Sequence, residues 1–252
     1  MALSSAILIG VASLGGSAFS TTWGLENEPR LPPLSVAIVP FSYTGDDGNR
    51  DEMAERFTAD LTDALVRDFR SAQVTAAAVA AAYQGTPMDA QKIGGALGVR
   101  YLVTGRIQRA SNHVAVDAQM VNSRTGAQIW NDRVEGAVER LSSPSGGLAV
   151  QLMRRVRSAL RNVEMLRIGL RAAPNETPLE QSLRASNILY VDNGSVNSAI
   201  EAKRVANQAL ARAPDLLNAL SVRLQALEIL RTQDPKADVV IDCCINNVLS
   251  FR

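Results

Sequence analysis

The stretch YLVTGRIQRASNHVAVDAQMVNSRTGAQIWNDRV, residues 101–134, decides the fold class. From His113 to Met120 the residues alternate, so that one face of an extended strand would be apolar and the other mostly small or polar. Turn-forming residues flank this segment at 110–112 and 122–126. The pattern predicts three strands that form an antiparallel meander.

Upstream of this stretch, Ser35-Val36-Ala37-Ile38-Val39 is a short apolar run stopped by Pro40, which is typical of a strand buried on both faces. Large apolar residues then recur at every fourth position and predict an amphipathic helix: Met53, Phe57, Leu61, Leu65 and Phe69. Residues 73–75 suit a short strand. Asp89 should begin a second helix, and Gly98 should end it in a left-handed conformation.

A further helix follows the predicted meander, because Leu148, Leu152, Val156 and Leu160 again have helical spacing. The order is strand, helix, strand, helix, three strands and helix. This order predicts an α/β (α+β) domain with a mixed sheet covered by helices, which we assign to residues 35–171.

Beyond this domain the composition favours helices alone. Thr177-Pro178-Leu179-Glu180 combines a capping box with proline at the first helical position. Small residues and a terminal proline then have the spacing of the second helix of a tetratricopeptide unit: Ala202, Ala206, Ala209 and Pro214. We therefore predict an all-α helical-repeat segment at 177–235, either unfinished or docked on the α/β domain, and a tail at 236–252.

The N-terminal segment, residues 1–25, has no charged residue, and its most apolar part is Ala6 to Ala12. Its length permits a membrane span or signal-anchor. A cleaved signal peptide and a plain buried or frayed segment are the alternatives. The first two place the folded part outside the cytoplasm. Residues 26–34, rich in proline and charge, suit a linker.

Composition excludes several functional classes. The chain has 252 residues with 26 basic and 25 acidic side chains, so it lacks the excess of positive charge that nucleic-acid binding needs. One histidine and two adjacent cysteines cannot supply paired zinc ligands or a disulfide framework. We expect no catalytic residue, no cofactor and no metal ligand, and hence no enzymatic activity in this chain.

Residues 35–134 resemble the TolB N-terminal-like domain of bacterial signalling proteins, found behind the membrane helix of class III adenylate cyclases and of winged-helix regulators related to CadC. The motifs that carry the resemblance are Ser35 to Phe41, Phe57 with Leu61 to Leu65, Tyr83-Gln84-Gly85, Leu97 to Gly105, Gln119-Met120-Val121 and Thr125 to Trp130. Its structural residues map to Pro40, Phe41, Gly98, Gly105, Gly126 and Trp130. The resemblance implies a periplasmic domain followed by tetratricopeptide repeats. No cyclase domain or winged helix precedes the apolar segment, so the family's output activity is not expected here.

Some residues with chemical potential have a simpler interpretation. Gly94 to Gly98 lacks the pattern of a phosphate loop and should be a helix end. His113 is expected to be exposed and without a catalytic role, and the Cys243-Cys244 pair to be incidental. A row of arginines is the candidate partner surface, either as a solvated helix face or as a dock for an acidic partner or lipid head groups: Arg154, Arg157 and Arg161.

The sequence thus favours a non-enzymatic, membrane-tethered or exported sensory module of a bacterial signalling protein. Its partner, a protein or peptide, would bind the helical repeats, while residues 1–25 would contact the membrane. The alternative hypothesis is that the chain is the C-terminal portion of a class III adenylate cyclase, whose catalytic domain it does not contain.

Overall fold

The computed structural model describes residues 31–45, 50–83, 89–141, 147–169, 172–191 and 193–233. The predicted membrane segment and the tail, including both cysteines, lie outside these residues. The described part is a mixed α/β structure with a six-stranded sheet and seven α-helices, as predicted for the fold class.

The strands are β1 (Ser35–Ile38), β2 (Ser42–Thr44), β3 (Gln73–Thr75), β4 (Tyr101–Ala110), β5 (His113–Asn122) and β6 (Gln128–Ala137). The helices are α1 (Arg50–Asp68), α2 (Ala77–Ala80), α3 (Ala90–Leu97), α4 (Leu148–Ile168), α5 (Pro178–Val191), α6 (Val196–Arg212) and α7 (Leu217–Gln233).

The sheet has the order β3-β1-β4-β5-β6. Strand β1 pairs in parallel with β3 on one side and β4 on the other, whereas β4–β5 and β5–β6 are antiparallel pairs. Beyond β1 the chain continues along β4 as β2. Pro40 separates β1 from β2 because it has no amide hydrogen for the ladder. The next amide, of Phe41, donates instead to Thr58 Oγ1 on α1 at 3.2 Å.

Both faces of β1 are buried, and alternate residues enter different cores. Val36 and Ile38 pack with α1 and α4 in the main core, while Ala37 and Val39 pack against α3 on the other face. The ring of Phe41 meets that of Phe57 edge-on, with 5.3 Å between centroids. Successive side chains of a strand point to opposite faces, and both faces are covered here, so residues 36–39 are all apolar.

Two glycines are required by their surroundings. Gly98 ends α3 with φ +65°, a conformation that costs other residues energy. At Gly105 in β4, a Cβ atom would overlap the carbonyl oxygen of Asp117 and the ring of Phe41. This glycine therefore lets the phenylalanine close over the sheet.

The other residues singled out by the resemblance lie around the β5–β6 turn. Gly126 has φ +71°, and its amide donates to the carbonyl of Asn122 at 2.9 Å, which closes the turn. Trp130 on β6 is half-buried against the main core.

Leu34, which the sequence placed in the linker, is 1% exposed and belongs to the same core. The packed structure thus begins before the first strand.

Helices α5, α6 and α7 follow the sheet and pack on one another. Their shared core consists largely of alanines, including Ala202 and Ala206, which allow close approach of the helices. The predicted capping box forms at the start of α5: the amide of Thr177 donates to Glu180 Oε2 at 3.0 Å, and the amide of Glu180 donates to Thr177 Oγ1 at 3.2 Å. Leu183 of α5 enters the main core of the sheet domain. From Leu31 onward the described residues form one compact unit.

Candidate partner-binding site

The arginines of α4 lie where helical periodicity placed them. Leu152, Val156 and Leu160 are fully buried against the sheet. Arg154 on the opposite side is exposed, and Arg157 and Arg161 are half-buried. They are partly buried because the end of α1 and the start of α7 lie beside α4. The polar face of α4 thus lines a cleft.

This arginine cleft has a volume of about 550 Å³ and is built from three parts of the chain. The end of α1 and the turn after it contribute Arg67 and Arg70, and the first turns of α7 contribute Leu217, Asn218 and Ser221. Helix α4 contributes Arg154, Arg157 and Arg161. The cleft therefore spans the sheet domain and the helical segment.

Positive charge in the arginine cleft is largely uncompensated. Arg67 Nε lies 3.3 Å from Asp68 Oδ1, the carboxylate that lines the cleft. Arg161 donates to the hydroxyl of Ser186 at 3.4 Å. Arg70, Arg154 and Arg157 form no ion pair with any described residue. An anion entering the cleft would meet several unpaired guanidinium groups.

Two other arginines of α4 do not add to this charge. Arg155 Nη1 lies 2.5 Å from Asp132 Oδ1 on β6 and also donates to the carbonyl of Arg133 at 3.0 Å. Arg167 is paired with glutamates. Their guanidinium groups face the protein because acidic partners on β6, α4 and α5 hold them there.

A buried ionic network beside the cleft joins the sheet domain to the helices. Glu164 of α4 is fully buried. It accepts hydrogen bonds from Arg167 at 2.7 Å and from the hydroxyl of Tyr101 at 2.6 Å, and Arg100 Nε lies 3.3 Å away. Arg167 also reaches Glu180 of α5 at 3.3 Å. One carboxylate thereby links β4, α4 and, through Arg167, α5.

A second buried pair fixes the start of α5. Arg184 and Glu176 form a bidentate ion pair, with donor–acceptor distances of 2.9 Å for both nitrogens, and their side chains are 6% and 5% exposed. Arg212, at the end of α6, donates to the carbonyl of Glu176 at 2.7 Å. Asn187 of α5 donates to the carbonyl of Met165 on α4 at 3.2 Å. Charged side chains thus join the start of α5 to the end of α6, and a neutral amide joins α5 to α4.

Burial shifts the ionisation of this network. Burial and the neighbouring Glu164 raise the pKa of Tyr101 far above that of a free phenol. Burial and the nearby Arg167 lower the pKa of Arg100. Burial opposes the charge of Arg167, but hydrogen bonds and the charge of Glu164 raise its pKa. The neutral phenol and the two guanidinium cations therefore surround a single carboxylate.

A second cleft, of about 890 Å³, lies on the outer face of β4, β5 and β6. Arg133 bridges Asp117 at 3.2 Å and Glu135 at 3.0 Å, and His113 Nε2 lies 3.1 Å from Glu135. The hydrogen bonds from His113 and Arg133 lower the pKa of Glu135. Arg106 lines this cleft and forms no ion pair with a described residue. Arg133, Asp117, Glu135 and His113 thus pair with one another on this face.

Other features of the described residues bear on ligands and membranes. Gly94 and Gly95 lie inside α3 rather than in a loop that could surround a phosphate. No group of three His, Cys, Asp or Glu side chains in the described ranges is placed to hold a metal ion. None of the described helices combines the length and the apolar character that a membrane crossing needs.

No family model matches the chain. It is similar to Putative adenylate cyclase 3 from Rhizobium meliloti (strain 1021), with 26% identity over 186 residues that cover 73% of this chain and 31% of that protein. The chain thus spans less than a third of the length of this relative.

Among solved structures, the lipoprotein GNA1162 from Neisseria meningitidis aligns with a TM-score of 0.36 and 17% identity, over 52% of this chain and 99% of that one. TolB from Acinetobacter baumannii aligns with a TM-score of 0.31 and 19% identity, over 51% of this chain and 27% of that one.

Sequence reasoning identified the α4 arginines but missed the buried network. A signal for it existed: Leu152, Val156 and Leu160 recur every four residues, and the next position in this series is Glu164. A carboxylate on an apolar stripe requires buried partners. The identity of those partners, Tyr101 and Arg100, depends on the pairing of distant elements and has no local signal.

Proposed function

We propose that the chain is a non-enzymatic, membrane-tethered or exported sensory and protein-interaction module of a bacterial signalling protein. In this proposal a TolB N-terminal-like domain, with β4–β6 as its antiparallel meander, carries tetratricopeptide-like helices. The observation that carries the proposal is the arginine cleft, an unneutralised surface shared by the two segments. A partner bound there would contact both the sheet domain and the helices.

The helical segment supports this proposal. Helices α5, α6 and α7 pack in succession through small residues, as Ala199, Ala202 and Ala206 are fully buried between them. Stacked helix pairs offer extended surfaces to peptides and proteins. The buried pair of Arg184 and Glu176 would hold this surface in a fixed orientation, which a recognition surface requires.

The export part of the proposal depends on residues 1–25, which are apolar and uncharged. We would fuse the full chain to a reporter that is active only outside the cytoplasm, express it in a bacterium and fractionate the membranes. Reporter activity in the membrane fraction is the expected result. A silent reporter with the protein in the soluble cytoplasmic fraction would refute export.

The non-enzymatic part can be tested separately with the purified chain. In the buried network Arg167 and Arg100 both pair with Glu164, so these groups are not free to act on a substrate. The proposal predicts no turnover of ATP. Cyclic AMP formation or ATP hydrolysis that follows the protein through purification would contradict the proposal.

A second candidate function is that of the C-terminal portion of a class III adenylate cyclase. Its support is the 26% identity to Putative adenylate cyclase 3, of which the chain covers 31%. In that case cyclic-AMP synthesis would belong to a different domain. The genomic DNA before the codon for Met1 distinguishes the two: an in-frame cyclase domain there would favour this candidate.

A further inference from the structure

The arginine cleft combines charge and shape in a way that specifies the chemistry of its occupant. Its cations are all arginines, whose planar guanidinium groups form paired hydrogen bonds with carboxylates or phosphates. Arg70, Arg154 and Arg157 have no ion pair with a described residue, so their donors are available to a ligand. Like charges in one cleft repel, and a bound anion would relieve that repulsion.

The walls of the cleft add features that a simple anion would not use. Leu217, at the start of α7, is 58% exposed, and Phe69 on the opposite side is half-buried. Ser158 and Ser221 supply uncharged hydrogen-bonding groups. A ligand that carries apolar groups as well as acids would bury Leu217 and satisfy the arginines together.

The concave shape favours a peptide over a membrane surface. A volume of about 550 Å³ is within the range of clefts that enclose small ligands. Lipid head groups in a bilayer form a broad surface and attract clusters of basic residues that lie against it. Here the guanidinium groups lie between α1, α4 and α7, so a chain segment that enters the cleft reaches more of them.

We propose that the arginine cleft binds an acidic peptide segment of a protein partner, in which carboxylates alternate with apolar side chains. The carboxylates pair with Arg70, Arg154 and Arg157, and an apolar side chain packs on Leu217. This inference rests on the proposed function, since it specifies the partner of an interaction module. Because the cleft includes α7 as well as α1 and α4, the bound segment also ties the helices to the sheet domain.

The test uses the full chain and a fluorescently labelled peptide of alternating Glu and Leu, with binding measured by anisotropy. A matched peptide of alternating Gln and Leu tests whether the carboxylates are needed. We expect the Glu peptide to bind, the Gln peptide to bind at least about tenfold more weakly, and the affinity for the Glu peptide to fall as salt is raised.

Variants locate the site. R154Q and R157Q should each weaken binding of the Glu peptide about tenfold, because each removes a charged hydrogen-bond donor. R106Q, which removes an arginine without an ion pair from the outer face of the sheet, is the matched control and should bind like the original chain. Arg154 and Arg157 have no ion pair to lose, and circular dichroism should show that both variants remain folded.

The outcomes separate this inference from the proposed function. Equal binding by R157Q and R106Q, or no binding at all, overturns the inference even when the export reporter is active. Binding of phosphatidylglycerol vesicles that needs Arg157, without peptide binding, also overturns it in favour of a lipid surface. Binding that R154Q and R157Q weaken and R106Q retains supports the cleft, even if a silent reporter refutes export.

Discussion

Glu164 places a negative charge where the pattern of α4 calls for an apolar side chain. Its carboxylate has no exposed surface and depends on Tyr101, Arg100 and Arg167 for stabilisation. Removing one partner of a buried ionic group leaves the others without a counter-charge, which costs far more than the loss of an exposed pair. The residue is therefore a sensitive point of the fold.

We predict that E164Q lowers the free energy of unfolding by about 3 kcal/mol, because Arg100 and Arg167 stay near a neutral amide. E201Q is the control, since Glu201 forms an exposed pair with Arg204 at 2.6 Å and should change stability by no more than about 0.5 kcal/mol. Urea unfolding measures both values. Similar small changes in the two variants would contradict a stabilising role for the network.

Tyr101 should give the protein a distinct alkaline transition. Burial and Glu164 raise its pKa above the value of about 10 in the unfolded chain, so its contribution to stability is fully present below that pH. The contribution is lost as the pH rises toward the folded-state pKa. In an alkaline titration followed by tyrosinate absorbance, Tyr101 should ionise only as the chain unfolds.

Y101F is the matched variant for this titration. It should lack the delayed absorbance step and lose less stability between neutral pH and about pH 11 than the original chain. Ionisation of all four tyrosines while the circular dichroism spectrum remained that of the folded protein would contradict the burial of Tyr101 and its hydrogen bond to Glu164.

At the scale of single elements, α3 offers two glycines with opposite roles. Gly98 ends the helix with φ +65°, where alanine is strained, so G98A should lower stability by about 1 kcal/mol. Gly95 lies within the helix with open space around its Cβ position, so G95A should raise stability by about 0.5–1 kcal/mol. Thermal unfolding of the two variants measures the difference. If both substitutions changed the stability in the same direction, the assigned role of Gly98 as the C-cap of α3 would be contradicted.

Elements were predictable where local chemistry determines them. The apolar run of β1, the four-residue spacing of α1 and the capping box at Thr177 are visible in the sequence because each reports on neighbours along the chain. The α4 arginines were predictable for the same reason. Arg70 and Leu217 of the arginine cleft were not, since their proximity to α4 depends on tertiary packing.

At the scale of the whole molecule, the sheet domain and the helices should unfold together. Leu183 of α5 lies in the main core, and Arg167 joins Glu164 to Glu180. Trp130 reports on the sheet once Trp23 is replaced by phenylalanine, while far-ultraviolet circular dichroism reports mainly on the helices. We expect coincident urea transitions from the two signals.

E164Q tests the cause of this cooperativity. The variant should separate the two transitions, because it weakens the link between α4 and α5 while leaving the helical core around Ala202 intact. Separate transitions in the unsubstituted chain would show that the junction does not couple the segments. The sequence left open whether the helices are docked on the α/β domain, because the groups that join them are distant in the chain.

Strand β1 has a mechanical consequence. It is the first strand of the described fold, and it lies between two parallel neighbours, β3 and β4. Tension that draws Leu34 out along the strand must shear the hydrogen bonds to both neighbours together. Strand β6, with β5 as its one neighbour in the described sheet, can be peeled away bond by bond. Strand β1, the first strand of the described fold, should therefore resist a pulling force better than β6 does.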